Sequence, residues 1–408
     1  MNYDAVLKAS HKALDICKDN FERIEEICLK NSQKVLKSFI ENKVSTNHFS
    51  RSTGYGYYNT GKEVLNSVFA QVLGAEHALV SANFASGTHA IVVTLSAVLR
   101  PGDLVISVTG EPYDTLNTFI YGENCGSLSD FNINFEKINV FDGFFSFESK
   151  IWKDSLQKKP KVVYIQRSRG YTFRKSMSIQ DIEDLVKNVR KISPKSIVIV
   201  DNCYGELVQT QEPTEIGADL VVGSLIKNLG GGIASSGAYV AGKKDLIELC
   251  CQRFISPGIS HTGASYLNQE LFMGLFYSPA AVKEALKTSV FASALFEILG
   301  LEVLPKYSEL RTDLVQIIKL KSKKNLISFC KAIQFNSPID SFLEPLPWAM
   351  PGYKDEIIMA SGGFISGSSI EISADAPLRE PFAVWLQGGT NFYMSTKAIL
   401  AAAEAIEI

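Results

Sequence analysis

A disulfide-like cysteine framework, a metal-ligand cluster, a membrane-length apolar run and a large net charge of either sign are all missing from this sequence. The seven cysteines (Cys17, Cys28, Cys125, Cys203, Cys250, Cys251, Cys330) form an odd, scattered set with no Cys-x-x-Cys, and the five histidines are equally dispersed. That argues against a disulfide scaffold and against a zinc site, and for reduced, mostly buried thiols. The longest strongly apolar run, Ala90 to Leu99, is interrupted by Thr94 and Ser96 and is too short to span a bilayer. With 41 basic and 43 acidic residues the formal charge is −2, so no long-range field favours nucleic acid, and no basic stripe compensates. Met1-Asn2-Tyr3-Asp4 has no basic region leading into an apolar stretch. A secretory signal is not expected, and cytoplasmic placement is the simplest expectation. What remains is ordinary globular composition: 408 residues, 46% hydrophobic, 21% charged. Length alone suggests roughly 2 to 3 domains. Glycine, at 29 residues, is the abundant entry whose placement needs explaining.

Periodicity divides the chain into three regions. Residues 5–42 read as helix, with Leu7, Leu14, Cys17, Phe21, Ile24, Cys28, Val35 and Phe39 at three- and four-residue steps. Residues 43–61 are irregular and carry Tyr55, Tyr57 and Tyr58, which suits a packed loop or a subunit contact. We expect 1–61 to form a helix and interface arm. From 62 to 290 helices are predicted over 62–73, 87–99, 178–190 and 264–289. Short apolar strands are predicted over 77–82, 104–108, 161–166, 196–201, 219–223 and 237–241. Near-continuous apolar strands between helices indicate an α/β domain whose sheet is covered on both faces. The remainder, 291–408, mixes helices near 322–334 and 393–407 with strand-like pieces and long loops over 336–368, as in a smaller α+β domain.

Five features carry chemistry. Asp201 ends an apolar strand, on the edge where open α/β sheets bind ligands, although a turn aspartate looks the same. Lys227 follows the next strand and precedes Gly230-Gly231-Gly232, which would let backbone approach a ligand closely; a lysine there can form a Schiff base, or be an ordinary surface lysine. Ser86-Gly87-Thr88 opens a helix and offers backbone N–H groups to a phosphate, or simply an N-cap, and Ser224 could add a hydroxyl. Tyr113 follows the strand over 104–108 and could stack on a flat ring or merely pack. Arg379 could bind a substrate carboxylate or pair with Glu371 or Glu380; Arg167 and Arg169 are rival anion ligands. Together these features fit pyridoxal phosphate and an amino-acid substrate. No metal is required.

The sequence also resembles fold-type I pyridoxal-phosphate enzymes. More narrowly it resembles the methionine gamma-lyase-like family of the Cys/Met-metabolism superfamily, often labelled aluminium resistance protein. The stretches that carry this are Arg51-Ser-Thr-Gly-Tyr-Gly-Tyr, Gln166-Arg-Ser-Arg-Gly-Tyr, Asp201-Asn-Cys-Tyr-Gly-Glu, Gly223-Ser-Leu-Ile-Lys-Asn-Leu-Gly-Gly-Gly-Ile-Ala and Ala374-Asp-Ala-Pro-Leu-Arg-Glu-Pro, distributed over nearly the whole chain. The resemblance implies a mostly parallel seven-stranded central sheet covered by helices, plus a smaller C-terminal domain. It makes Lys227 the residue that carries pyridoxal 5'-phosphate covalently and Asp201 the partner of the pyridinium nitrogen. Ser86-Gly87-Thr88 and Ser224 would hold the phosphate, and Tyr113 would stack on the ring. Arg51 and Tyr55 match an Arg and a Tyr that the wider superfamily brings from a partner subunit, at a different spacing, with Tyr55 a catalytic candidate. Arg379 matches the carboxylate arginine, with Arg167 the alternative. The implied activity is carbon–sulfur lyase action on a sulfur amino acid such as cystathionine or methionine. The alternatives are an aminotransferase or another amino-acid-transforming enzyme, and a non-catalytic stress-response protein that keeps the fold. A homodimer or homotetramer with its active site at the subunit interface is implied as well.

Overall fold

A computed structural model describes residues 2–141, 145–350 and 353–407. The six apolar runs between 77 and 241 all form strands, each within one residue of the bounds read from the sequence. They are β1 (His77–Ser81), β2 (Leu104–Ser107), β4 (Val162–Gln166), β5 (Ile197–Asp201), β6 (Leu220–Ser224) and β7 (Ala238–Gly242), and an unforeseen edge strand β3 (Asn134–Lys137) joins them. Their order is β1-β7-β6-β5-β4-β2-β3. Neighbours from β6 through β3 are parallel, and β7 alone runs antiparallel to both of its neighbours. β3 lacks the apolar signature of the other strands because Asn134-Phe-Glu-Lys is largely polar and only partly buried, as suits an edge.

Both faces of this sheet are covered, which explains the lack of hydrophobic alternation in β4 to β7. The helices of the first 300 residues are α1 (Tyr3–Ile16), α2 (Lys18–Glu41), α3 (Thr60–Val72), α4 (Gly87–Val98), α5 (Asn117–Tyr121), α6 (Lys150–Gln157), α7 (Ile179–Ile192), α8 (Lys244–Phe254) and α9 (Asn268–Ile298). On one face Leu79, Val105, Val162, Ile199, Leu220 and Val240 meet α4 and α8. On the other, Val80, Ile106, Val163, Val198, Val200 and Val221 belong to the large core that includes α3, α7 and α9. Each such fully buried side chain is worth about 1.5–3 kcal/mol relative to exposure.

The helix expected over 5–42 is two helices, broken at Cys17. Cys17 is fully buried with its Sγ 3.8 Å from the Val290 carbonyl, and both α1 and α2 pack on α9, so the chain bends to follow that helix. α9 itself runs beyond the 289 read from sequence, because Val290 to Phe296 remain buried on every side.

The C-terminal part is a five-stranded antiparallel sheet backed by α10 (Lys323–Phe335) and α11 (Phe392–Ala405). Its order is β10-β11-β12-β9-β8, with β8 (Val303–Leu304), β9 (Gln316–Lys319), β10 (Ile357–Ser361), β11 (Ser373–Pro377) and β12 (Ala383–Gln387). The segment 336–368 is loop apart from β10, with 351–352 outside the described residues. No described helix is long and apolar enough to cross a membrane.

Candidate active site

Three parallel strands finish side by side on one edge of the large sheet. Gln166 ends β4, Asp201 pairs with it at the end of β5, and Ser224 ends β6. β1 runs parallel to β6, since both are antiparallel to β7. The chain leaving β1 therefore reaches the same edge and starts α4 there. A cavity of about 360 Å³ opens at this edge and is closed on its far side by β11, β12 and the loop carrying Tyr353.

Asp201 is 2% exposed, and its Oδ1 accepts the Cys203 amide at 3.1 Å. Burial pushes its carboxyl up, while the Lys227 charge and the bonds from Cys203 pull it back. The following turn places Tyr204 at φ 71°, a left-handed conformation that a tyrosine adopts only where surroundings over-determine it. The Tyr204 ring lies 4.0 Å from Lys227 Nζ. Around Lys227, burial disfavours the ammonium, but Cys203, Tyr204, Tyr113 and Asp201 outweigh that and hold it well above an ordinary lysine.

The turn over 201–205 explains Arg167. That residue is fully buried: its guanidinium donates to Asn202 Oδ1 at 2.8 Å, to the Gly205 carbonyl at 2.9 Å and to Gln209 Oε1 at 3.0 Å. Glu212 stands 3.8 Å away. Arg167 therefore buttresses the turn from behind and does not line the cavity, which corrects its reading as a substrate ligand. Side chains alternate across a strand end, so Gln166 faces the cavity and Arg167 faces away. Arg169 does line the cavity, but Ser176 takes its Nε and Nη2 at 3.2 and 2.9 Å, and Asp313 is 3.7 Å off.

Ser86 is the N-cap of α4; its Oγ accepts the His89 amide at 3.1 Å. Gly87 follows, and a Cβ added there would stand 3.1 Å from Ser224 Cβ. The first turn of α4 and the Ser224 hydroxyl thus share one small space, as an anion cradle needs. The Thr88 and Thr115 hydroxyls are 3.1 Å apart beside it, and Tyr113 is fixed through its amide to Gln166 Oε1 at 3.0 Å. Gly230 and Gly231 have another reason than close ligand approach. A Cβ on Gly230 would fall 1.5 Å from the Leu225 carbonyl, and one on Gly231 2.5 Å from the Gly274 carbonyl of α9. They close the turn after Lys227 and let α9 pack on it backbone to backbone.

Arg379 sits at the mouth, donating to Asp355 Oδ2 at 2.9 Å and to the Tyr171 carbonyl at 3.2 Å. Arg51 and Tyr55 stand apart from this cavity. They lie in an exposed arm, where Tyr55 and Tyr57 stack at 5.5 Å and Arg51 lines a separate depression.

The cavity is also lined by Asp375, Tyr171, Gln387 and Trp385, none of which the sequence marks as a site residue. Gln387 Nε2 donates to Asp375 Oδ2 at 2.8 Å, and burial pushes the Asp375 carboxyl up to about 6 against the pull of Tyr171, Lys227 and Gln387. The signal was a single acid between small residues in a strand, Ser373-Ala-Asp-Ala, inside the motif already quoted for Arg379.

Comparison with known proteins covers the same span. The sequence profile of a family described as methionine gamma-lyase matches residues 6–407. The uncharacterised protein YnbB of Bacillus subtilis is 45% identical over 391 residues, 94% of this chain and 92% of its own. Two crystal structures superpose closely. A proposed cystathionine beta-lyase involved in aluminium resistance from Clostridium acetobutylicum has TM-score 0.96 at 41% identity, covering 99% of this chain and 96% of that one. A carbon–sulfur lyase involved in aluminium resistance from Clostridium novyi has TM-score 0.93 at 44% identity, covering 98% and 95%.

Proposed function

The chain belongs to the methionine gamma-lyase family of fold-type I pyridoxal-phosphate enzymes, and on that premise we propose that it is a carbon–sulfur lyase acting on a sulfur amino acid. The observation that carries this reading is the meeting of Lys227, Asp201, Ser224 and the N-terminus of α4 at one cavity. The names of the two Clostridium relatives point to the same bond.

The residues fit the cofactor. The space that a Cβ on Gly87 would fill suits a phosphate, held by the α4 amides, Ser86, Thr88 and Ser224. Lys227 is the amine to which the aldehyde would be joined, and Tyr113 offers a ring face. Asp201, beside Lys227 and shielded from water, would keep a proton on the ring nitrogen. Pyridoxal phosphate, when bound, supplies an electron sink for the pair left on the substrate's α-carbon.

The chain's own residues do the rest. With the cofactor bound, Lys227 Nζ would take the α-proton and could pass a proton on to Cβ or to the departing sulfur. Breaking the Cβ–S or Cγ–S bond releases a thiol, and water uptake converts the carbon remnant to a 2-oxo acid and ammonia. Arg379 at the mouth is the candidate for the substrate carboxylate, exchanging Asp355 for it. Arg51 and Tyr55 would act across a dimer interface, in the site of a second copy.

The test is a product screen across cysteine, cystathionine, methionine and homocysteine, scored for thiol, 2-oxo acid and ammonia, with Lys227→Ala as control. Thiol release that needs no added keto acid, and that vanishes with the visible band of the lysine-linked cofactor in Lys227→Ala, supports the lyase. Conversion that requires a keto acid replaces it with transamination, and normal turnover by Lys227→Ala overturns the site.

A further inference from the structure

One carboxylate in the cavity has no part in the roles assigned above. Asp375 stands on the wall contributed by the small sheet, at a central strand where it pairs with Met359 on β10 and Trp385 on β12. Its Oδ2 takes the Gln387 amide at 2.8 Å and the Tyr171 phenol lies against the carboxylate, so the group is aimed and held. None of the ion pairs among the described residues includes it; Lys227 acts on it only through space.

Most other charges at the cavity have a partner within the chain, and the exception, Asp114, lies at the mouth. Arg169 has Asp313 and Ser176, Arg379 has Asp355, Glu111 has Lys137, and Asp114 lies at the mouth under the influence of Arg379 and Lys354. Asp201 and Lys227 are taken up by the cofactor in the reading above. The group deep in the cavity without an ion-pair partner is thus a carboxyl, and a nearby cation would favour its ionised form against the cost of burial. Its complement is a cation on the ligand. The substrate's α-amino group is committed to the cofactor, so that cation belongs to the far end of the molecule. Tyr204, Tyr353 and Trp385 line the space beside Asp375. Such aromatic faces suit an ammonium on an apolar stem.

Resting on the lyase reading, we propose that Asp375, held by Gln387 and Tyr171, binds an ammonium group on the leaving half of the substrate. The preferred substrates are then sulfur amino acids whose released thiol carries a positive charge.

Two isosteric pairs test this on the holoenzyme. S-(2-aminoethyl)-L-cysteine and S-propyl-L-cysteine differ only in a terminal ammonium or methyl, and thiol release gives kcat/KM for each. L-Lysine and L-2-aminoheptanoic acid differ in the same way but have no sulfur, and calorimetry gives their Kd without any cleavage. The charged member is expected to win by about 10- to 100-fold in both pairs, the range of a charge-assisted hydrogen bond. Asp375→Asn should bring both ratios toward one, and Asp375→Glu should restore part of them. No preference in the native enzyme overturns the proposal, as does an Asp375→Asn variant that weakens both members of a pair equally. If Asp375→Asn does not fold, the native ratios and Asp375→Glu still decide. A lysine preference that depends on Asp375, without cleavage of either thioether, upholds the subsite and overturns the lyase reading instead.

Discussion

Glu206 offers a stability prediction with a definite sign. Its side chain is fully buried behind β6, with Oε1 accepting the Tyr239 hydroxyl at 2.8 Å and Oε2 lacking any partner. The strand lies so close that a Cβ on Gly223 would come within 2.5 Å of Oε1. Burial pushes the carboxyl up from 4.5 to about 8; Glu212 adds to the rise, while Tyr239 and Lys227 oppose it. The folded chain therefore keeps a proton that the unfolded chain releases once pH passes 4.5, and stability falls as pH climbs toward about 8. Each pH unit in that window costs about 1.4 kcal/mol, so moving from about pH 5.5 to about pH 7.5 costs about 2.7 kcal/mol. For 408 residues the unfolding entropy is about 0.86 kcal/mol/K, which converts the loss to ~3 °C in Tm. Glu206→Gln removes the titration. Its Tm relative to the native protein should rise by ~3 °C across that interval, measured by calorimetry at fixed protein and saturating cofactor concentration. Parallel pH profiles for the two proteins would refute the reasoning, whatever their absolute difference.

Arg167→Met should lower stability by about 3–5 kcal/mol in urea titration, because Glu212 is left buried beside an unsupported turn. An altered KM with full stability would return Arg167 to the substrate. Gly87→Ala crowds Ser224 across 3.1 Å and should weaken cofactor binding about tenfold by equilibrium dialysis, from overpacking at the low end of its usual cost; an unchanged Kd dismisses the cradle. Arg51→Ala and Lys227→Ala, each inactive alone, should recover about a quarter of native activity when co-expressed, since half the dimers are mixed and hold one intact site. No recovery places Arg51 outside the partner's site.

Much of the site was legible because strand ends are local features. An apolar run that stops at Asp201 or Ser224 marks both the strand and the residue at its edge, and the short reach to Lys227 keeps it there. The same logic located Ser86-Gly87-Thr88 at the start of α4. Arg167 and Arg169 were not separable in this way. They lie one and three residues past β4, where the path of a turn fixes each direction. Asp375 is local in sequence to nothing on the large sheet. Its importance comes from Gln387, twelve residues on, and from Tyr171 on the other side of the cavity.

The sequence by itself determined the α/β alternation, the position of the six apolar strands between 77 and 242 and the chemical identity of the residues at the sheet edge, since each depends on hydrophobic period and on neighbours a few positions away. Only the tertiary structure decided that α1 and α2 break at Cys17, that Gly230 and Gly231 serve the packing of α9, and that Asp375 faces the lysine. Those outcomes depend on burial against elements scores to hundreds of residues distant, and pairings at that range leave no periodic trace in a single chain.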